Sequence, residues 1–206
     1  LLQQYLLSGG KMPDPVNTVV LLSGGGRTLE NLIDKVSSEN LPININAVVS
    51  SRKIVRGLEI AEAANIDTNV FQRNKYSSVS EHNKAINTWI SSYEPELILL
   101  AGYLCFYHLP EWFKGIALNI HPALLPKYGG KGFYGERVHR AVLDNNDAVT
   151  GCTVHHVTDE YDAGSIVAQC EVRVLPGDDI DTLAARVFDA ECKLFPEAIR
   201  KVIADR

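Results

Sequence analysis

Two side chains able to handle a proton and a negatively charged oxygen stand two residues apart in the run Leu118-Asn119-Ile120-His121-Pro122-Ala123-Leu124-Leu125-Pro126. The run reads as an apolar strand that stops at a proline, and strand alternation puts Asn119 and His121 on one face. An amide and an imidazole at the end of a buried strand are costly to bury without partners. They are either satisfied core polar groups or paired donors aimed at a reacting oxygen. Asp162, in the acidic loop Thr158-Asp159-Glu160-Tyr161-Asp162-Ala163-Gly164, is the natural third partner. A carboxylate beside an imidazole raises its pKa and orients it, which suits acid–base work near neutral pH. In isolation, an aspartate before Ala-Gly is more often a turn former. His155 is strand-borne and either lines the same site or is a satisfied core polar group. His82, His108 and His139 have no recognisable partners and read as surface or helix-end residues.

A second constellation is the turn Ser23-Gly24-Gly25-Gly26-Arg27-Thr28, placed between a strand and a helix. Backbone N–H groups at such a turn, with the helix dipole, form a phosphate cradle; a tight turn without a ligand is the alternative. No Gly-Lys-Ser/Thr follows, so it is not a P-loop. Leu29 stands where a dinucleotide fingerprint has its third glycine, and no acidic residue ends the second strand. A monophosphate suits the turn better than a dinucleotide. Directly after the Asn119–His121 strand, Lys127 to Gly135 form a basic, aromatic, glycine-rich loop. Loops at strand ends in α/β proteins often carry binding residues.

The elements that must position these groups alternate. Strands are predicted at Thr18–Leu22, Ile43–Val49, Asn69–Phe71, within Glu96–Ala101, and around Asn119–His121. Helices are predicted from Arg27 or Thr28, over Arg56–Ala64, and over the stripe Val79, His82, Ile86, Trp89, Ile90. This order predicts an α/β, three-layer Rossmann-like fold, with a mostly parallel sheet and helices on both faces. After about residue 150 the pattern changes. Gly151–Thr158 and Ser165–Leu175 should pair antiparallel, before a long helix from Asp179 that Pro196 should bend or interrupt. Residues 1–16 read as an extension outside the fold, and 17–206 as one domain.

With a net charge of −5 and a pI near 5.7, the chain lacks the basic face of a general nucleic-acid binder. No apolar run approaches the ~20 residues of a membrane span, and the first residues lack a signal-peptide pattern. Cys105, Cys152, Cys170 and Cys192 are widely spaced, which suits reduced thiols in a cytoplasmic protein. Cys152 and His155 would face opposite ways on one strand, so no metal site is predicted.

In order and spacing, Ser-Gly-Gly-Gly, Asn-Ile-His-Pro-Ala-Leu-Leu-Pro and Asp-Glu-Tyr-Asp-Ala-Gly resemble folate-dependent formyltransferases of the phosphoribosylglycinamide formyltransferase type, from about Thr18 to Ile203. The resemblance implies a catalytic trio of Asn119, His121 and Asp162. Negative charge building on a formyl oxygen would be met by Asn119 and a protonated His121, with Asp162 holding His121 charged. It further implies 10-formyltetrahydrofolate as cosubstrate and glycinamide ribonucleotide as acceptor, with no metal, nucleic acid or membrane, and it leaves the oligomeric state open. By that resemblance Gly24, Gly25, Gly26, Arg27 and Thr28 bind the substrate phosphate, and Glu191 and Pro122 lie at its ribose and amine. Tyr103, Leu104, Cys105, Phe106, Val157 and Asp159 take the folate. Three positions depart from the family's common pattern: Arg27-Thr28 replace Ser-Asn, Cys105 replaces an Arg, and Phe188 replaces a Lys or Gln. Arg27 or Lys131 is therefore expected to supply the phosphate charge. A formyltetrahydrofolate deformylase-like hydrolase and a non-catalytic folate- or nucleotide-binding module are the rival readings.

Overall fold

The computed structural model describes residues 14–206. In chain order the elements are β1 (Val16–Leu22), α1 (Arg27–Glu39), β2 (Ile43–Ser50), α2 (Arg56–Ala63), β3 (Asp67–Val70), α3 (Val79–Ile90), β4 (Leu97–Leu100), β5 (Ile116–His121), α4 (Glu136–Asp144), β6 (Val149–His156), β7 (Ile166–Arg173) and α5 (Ile180–Ala204). The predicted extension lies outside the described residues as far as residue 13. Its last residue, Val16, already pairs with Ile43 at the start of β1.

The seven strands form one sheet in the order β3-β2-β1-β4-β5-β6-β7. Every pairing from β3 to β5 is parallel, while β6 and β7 run antiparallel. Alternate side chains of the central strands feed two cores. Val20, Leu22, Leu97, Leu99 and Leu118 pack with Leu29, Leu32 and the α5 stripe. On the other face Val19, Leu21, Ile98 and Ala117 pack with Ile86 and Ile90 of α3 and with Tyr103, Tyr107 and Phe113. Each fully buried Leu, Ile or Val side chain contributes roughly 1.5–3 kcal/mol relative to exposure, so strands buried on both faces read as continuous apolar runs.

Helix α5 begins as expected. Asp179 caps it by accepting from the Thr182 N–H (2.8 Å), and Thr182 Oγ1 accepts from the Asp179 N–H (2.9 Å). It does not stop at Pro196 but runs through to Ala204. A proline removes the N–H that would bond the carbonyl four residues back. That carbonyl belongs to Cys192, and the Asn31 side-chain amide of α1 donates to it (3.0 Å). The tertiary contact fills the gap in the helical ladder.

The short helix α4 escaped the sequence reading. Its buried residues are Val138, His139 and Val142, so its apolar stripe is only two aliphatic residues long and interrupted by charge. Just beyond the C-terminal end of β1, Gly26 takes φ 70°, and a Cβ there would lie 2.4 Å from Gly57 Cα. Helices α1 and α2 therefore start in contact, and only glycine fits the crossing.

Candidate active site

Asn119 and His121 sit at the C-terminal end of β5, where ligands bind in open α/β sheets. Antiparallel pairing sets Asn119 opposite His155 on β6, so the two side chains share a face. The His155 Nδ1–H donates to the His156 carbonyl (2.9 Å), which leaves Nε2 to accept from Asn119 Nδ2 at 3.0 Å. The second Asn119 amide hydrogen makes only a long contact, 3.4 Å, with Asp162 Oδ1. His121 is 4% exposed. Its Nε2–H donates to the Tyr128 carbonyl at 2.8 Å, and Nδ1 faces Asp162 Oδ2 at 3.7 Å.

Asp162 reaches these groups from a loop that folds back over β5 and β6. It holds a left-handed backbone, φ 53°, and its Oδ2 accepts from the Gly130 N–H at 2.8 Å. Two residues on, a Cβ at Gly164 would lie 1.7 Å from the His156 carbonyl oxygen. The loop can lie this close to β6 only with glycine there. Burial pushes the Asp162 carboxyl up, but His155, His121 and the Gly130 N–H together bring it below the usual carboxylate range.

The imidazole differs from expectation. Burial pushes His121 down, and although Asp162 and the Tyr128 carbonyl push it back, the balance stays below the ordinary histidine value. In the free protein His121 is therefore neutral near pH 7, with its proton on Nε2 and an open lone pair on Nδ1. Desolvation outweighs one carboxylate at 3.7 Å.

Two cavities meet at this point. The larger, about 520 Å³, is lined by Arg27, Thr28, Pro122, Lys131, Phe188 and Glu191 among others, with His121 at its wall. The smaller, about 60 Å³, is lined by Cys105, Phe106, Val157 and Glu160 among others. Tyr103, Asn119, Tyr161 and Asp162 line both. Asn119 and Asp162 thus stand at a wall common to two chambers. The Tyr103 hydroxyl is buried with no partner, and burial raises its pKa, keeping the proton on as a donor.

The chain matches the family model described as formyl transferase over residues 16–199. The chain belongs to the formyl transferase family. Its relatives include the trifunctional purine biosynthetic protein adenosine-3 of Gallus gallus, 39% identical over 95% of this chain. The match spans only 19% of that relative's length. Phosphoribosylglycinamide formyltransferase of Haemophilus influenzae is 37% identical over 88% of this chain and 84% of its own. Among solved structures, glycinamide ribonucleotide transformylase 1 from Symbiobacterium toebii superposes with a TM-score of 0.85 at 34% identity. That match covers 93% of this chain and 89% of the other.

Within this formyl transferase chain the remaining expected residues fall in three places. Arg27, Thr28, Pro122, Lys131 and Glu191 line the large cavity, as do Tyr103 and Leu104. Cys105, Phe106 and Val157 line the small one. Gly24, Gly25 and Gly26 shape the turn behind Arg27 and line neither; Asp159 also lines neither, and its Oδ1 meets His108 Nδ1 at 2.9 Å. Burial lifts the Glu191 carboxyl to about 7, against the pull of Arg27.

Two histidines read as surface or helix-end groups are buried instead. His82 is fully enclosed, with Nε2 on the Phe71 carbonyl at 2.9 Å. His139, 5% exposed, lines the large cavity, and its Nδ1 has no partner. The spacing Val138, His139, Val142 on a short helix was the available signal for His139. Among the described residues, no helix is long and apolar enough to cross a membrane.

Proposed function

We propose that this chain transfers the formyl group of 10-formyltetrahydrofolate to the amine of glycinamide ribonucleotide, giving formylglycinamide ribonucleotide and tetrahydrofolate in purine biosynthesis. The observation that carries this reading is the shared wall: Asn119 and Asp162 touch both chambers, where a donor on one side and an acceptor on the other must meet. Binding the two in register makes the reaction effectively unimolecular.

In the large chamber, Arg27 and Thr28 hold the phosphate, with Lys131 as an accessory cation, and the Gly24–Gly26 turn behind them sets the start of α1. Glu191 takes the ribose hydroxyls, and Pro122 borders the amine. The folate supplies the activated formyl group. Tyr103, Leu104, Cys105, Phe106 and Val157 surround it, with Asp159 on the adjoining loop. An unpartnered, protonated Tyr103 hydroxyl among aromatic walls suits a flat heterocycle with acceptors on its edge. The small cavity has room for only a few waters. Seating such a ring requires Tyr161 to leave Phe106, whose ring centroid lies 4.6 Å away.

As the amine attacks, negative charge grows on the formyl oxygen. The loosely held Asn119 N–H turns to it; oxyanion donors of this kind contribute about 10²–10³ in rate. His121 Nδ1 takes the proton released by the amine, directly or through water. Asp162, ionised and 3.7 Å away, stabilises the imidazolium so formed. His121 thus begins neutral and becomes charged as the amine adds. It gives the proton to N10 of the folate as the oxyanion collapses and the formyl C–N10 bond breaks, which releases tetrahydrofolate and restores the neutral imidazole.

The test supplies 10-formyltetrahydrofolate with and without glycinamide ribonucleotide and follows tetrahydrofolate release. Release that depends on the ribonucleotide is expected. Equal release without it assigns a deformylase, and none in either case assigns a binding module.

A further inference from the structure

We infer that Phe188 is a positioning residue: its ring fixes the Arg27 guanidinium so that the edge of the cation, not its face, meets the phosphate of the substrate. The inference rests on the reading of the large chamber as the ribonucleotide site.

The Arg27 guanidinium carbon lies 3.7 Å from the centroid of the Phe188 ring. At that distance the planar cation lies against the ring's π face. Stacking occupies the face of the guanidinium and leaves its in-plane N–H fork open. Among the described residues, the Arg27 side chain makes no hydrogen bond or ion pair, and both residues line the large cavity. An exposed arginine normally samples many rotamers, at roughly 2 kcal/mol of side-chain entropy. Here the aromatic ring restricts that freedom without consuming a single donor.

The neighbours explain why an apolar clamp suits the place. Arg27 is the first residue of α1, where Gly26 offers no side-chain cap. The positive end of the helix dipole therefore adds to its charge. Glu191 lies three residues beyond Phe188 on α5, on the same side of the helix. A carboxylate at position 188 would close a bidentate pair with Arg27 and fill the fork. Phenylalanine holds the cation in place and keeps the fork for the ligand. The expected consequence is a contribution to ribonucleotide binding that passes entirely through Arg27.

The experiment compares the whole chain with R27A, F188A, F188L, F188Y and the double variant R27A/F188A. It measures kcat, KM for the ribonucleotide, and the shift in Tm caused by inorganic phosphate. R27A should raise KM ~10-fold or more, as loss of a charge-assisted phosphate contact does. F188A and F188L should raise it about 3- to 10-fold, the range of a cation–π contact, with kcat within about twofold. F188Y, which keeps a π face, should return KM to within about twofold of wild type. The double variant should match R27A, since a residue acting only through Arg27 adds nothing once Arg27 is gone. Phosphate should raise the Tm of the wild type and F188Y alike, that of F188L by less at the same concentration, and that of R27A least. Wild-type KM and phosphate response in F188L would overturn the inference, as would additive losses in the double variant. If the wild type shows no ribonucleotide-dependent turnover, the proposed reaction fails. The phosphate shifts still decide whether Phe188 orients Arg27, and a wild type unmoved by phosphate rejects it.

Discussion

Asn119 has two amide hydrogens in two different circumstances. One is held by His155 at 3.0 Å, and the other only brushes Asp162 at 3.4 Å. The first fixes the amide and the second is the proposed oxyanion donor. Asn119→Ala and His121→Ala should each lower kcat by at least ~100-fold, in the tetrahydrofolate-release assay; turnover within a few-fold of wild type in either would reject the assignment. The protonation of His121 has its own test. Burial holds it below the ordinary value while Asp162 pulls it upward. An NMR titration of the imidazole should find a midpoint below about 6.5, the ordinary value for histidine. In Asp162→Asn the midpoint should move lower still, because the upward pull is gone and the burial remains. An unchanged midpoint would mean that Asp162 does not act on the charged imidazole.

At the scale of elements, the contact between α1 and α5 makes a proline compatible with an unbroken helix. Asn31 gives the Cys192 carbonyl the bond that Pro196 cannot. Asn31→Ala should therefore cost about 0.5–1.5 kcal/mol, the net contribution of one hydrogen bond at a part-buried site, read by urea denaturation. In a Pro196→Ala background the backbone N–H restored at that position can bond the Cys192 carbonyl itself. The same Asn31 substitution should then cost much less. Equal costs in the two backgrounds would show that Asn31 acts through another contact. A second element-scale constraint is Gly164, which lets the Asp162 loop lie on β6. Gly164→Ala should lower kcat in the formyl-transfer assay by displacing that loop, and a variant with wild-type kcat and Tm would show the loop tolerates the shift.

For the whole molecule, three enclosed histidines set a pH response. Burial is the leading cause that lowers His82, His121 and His139. As pH falls below about 6.5 the unfolded chain takes up protons at these sites, while the folded chain still excludes them. The unfolded state then binds more protons, so stability rises with pH across this window and is lost on acidification. The Tm should fall from pH 7 toward pH 5, and His82→Gln should flatten the fall. Asp162, lowered in the fold, adds a later loss as pH drops below its ordinary value of 3.8 toward the folded value. A Tm level between pH 7 and 5 would contradict the histidine account.

The periodicities of the chain contained its layers. Runs such as Leu97 to Leu100 had to be strands covered on both faces, and the turn from strand to antiparallel pair after residue 150 was legible in spacing alone. So were the three polar residues that share one cavity wall, because Asn119, His121 and Asp162 are marked by local pattern and by the order of their motifs. What local pattern could not contain was anything that depends on distance across the fold. The neutrality of His121 follows from how completely it is enclosed, the continuity of α5 from an amide on α1, and the burial of His139 from a helix too short to announce itself. Arg27 and Phe188 lie far apart in the chain, and only packing α5 beside the glycine turn brings cation and ring together. Short-range periodicity is written into each segment; desolvation, cross-strand register and stacking exist only once segments share a surface.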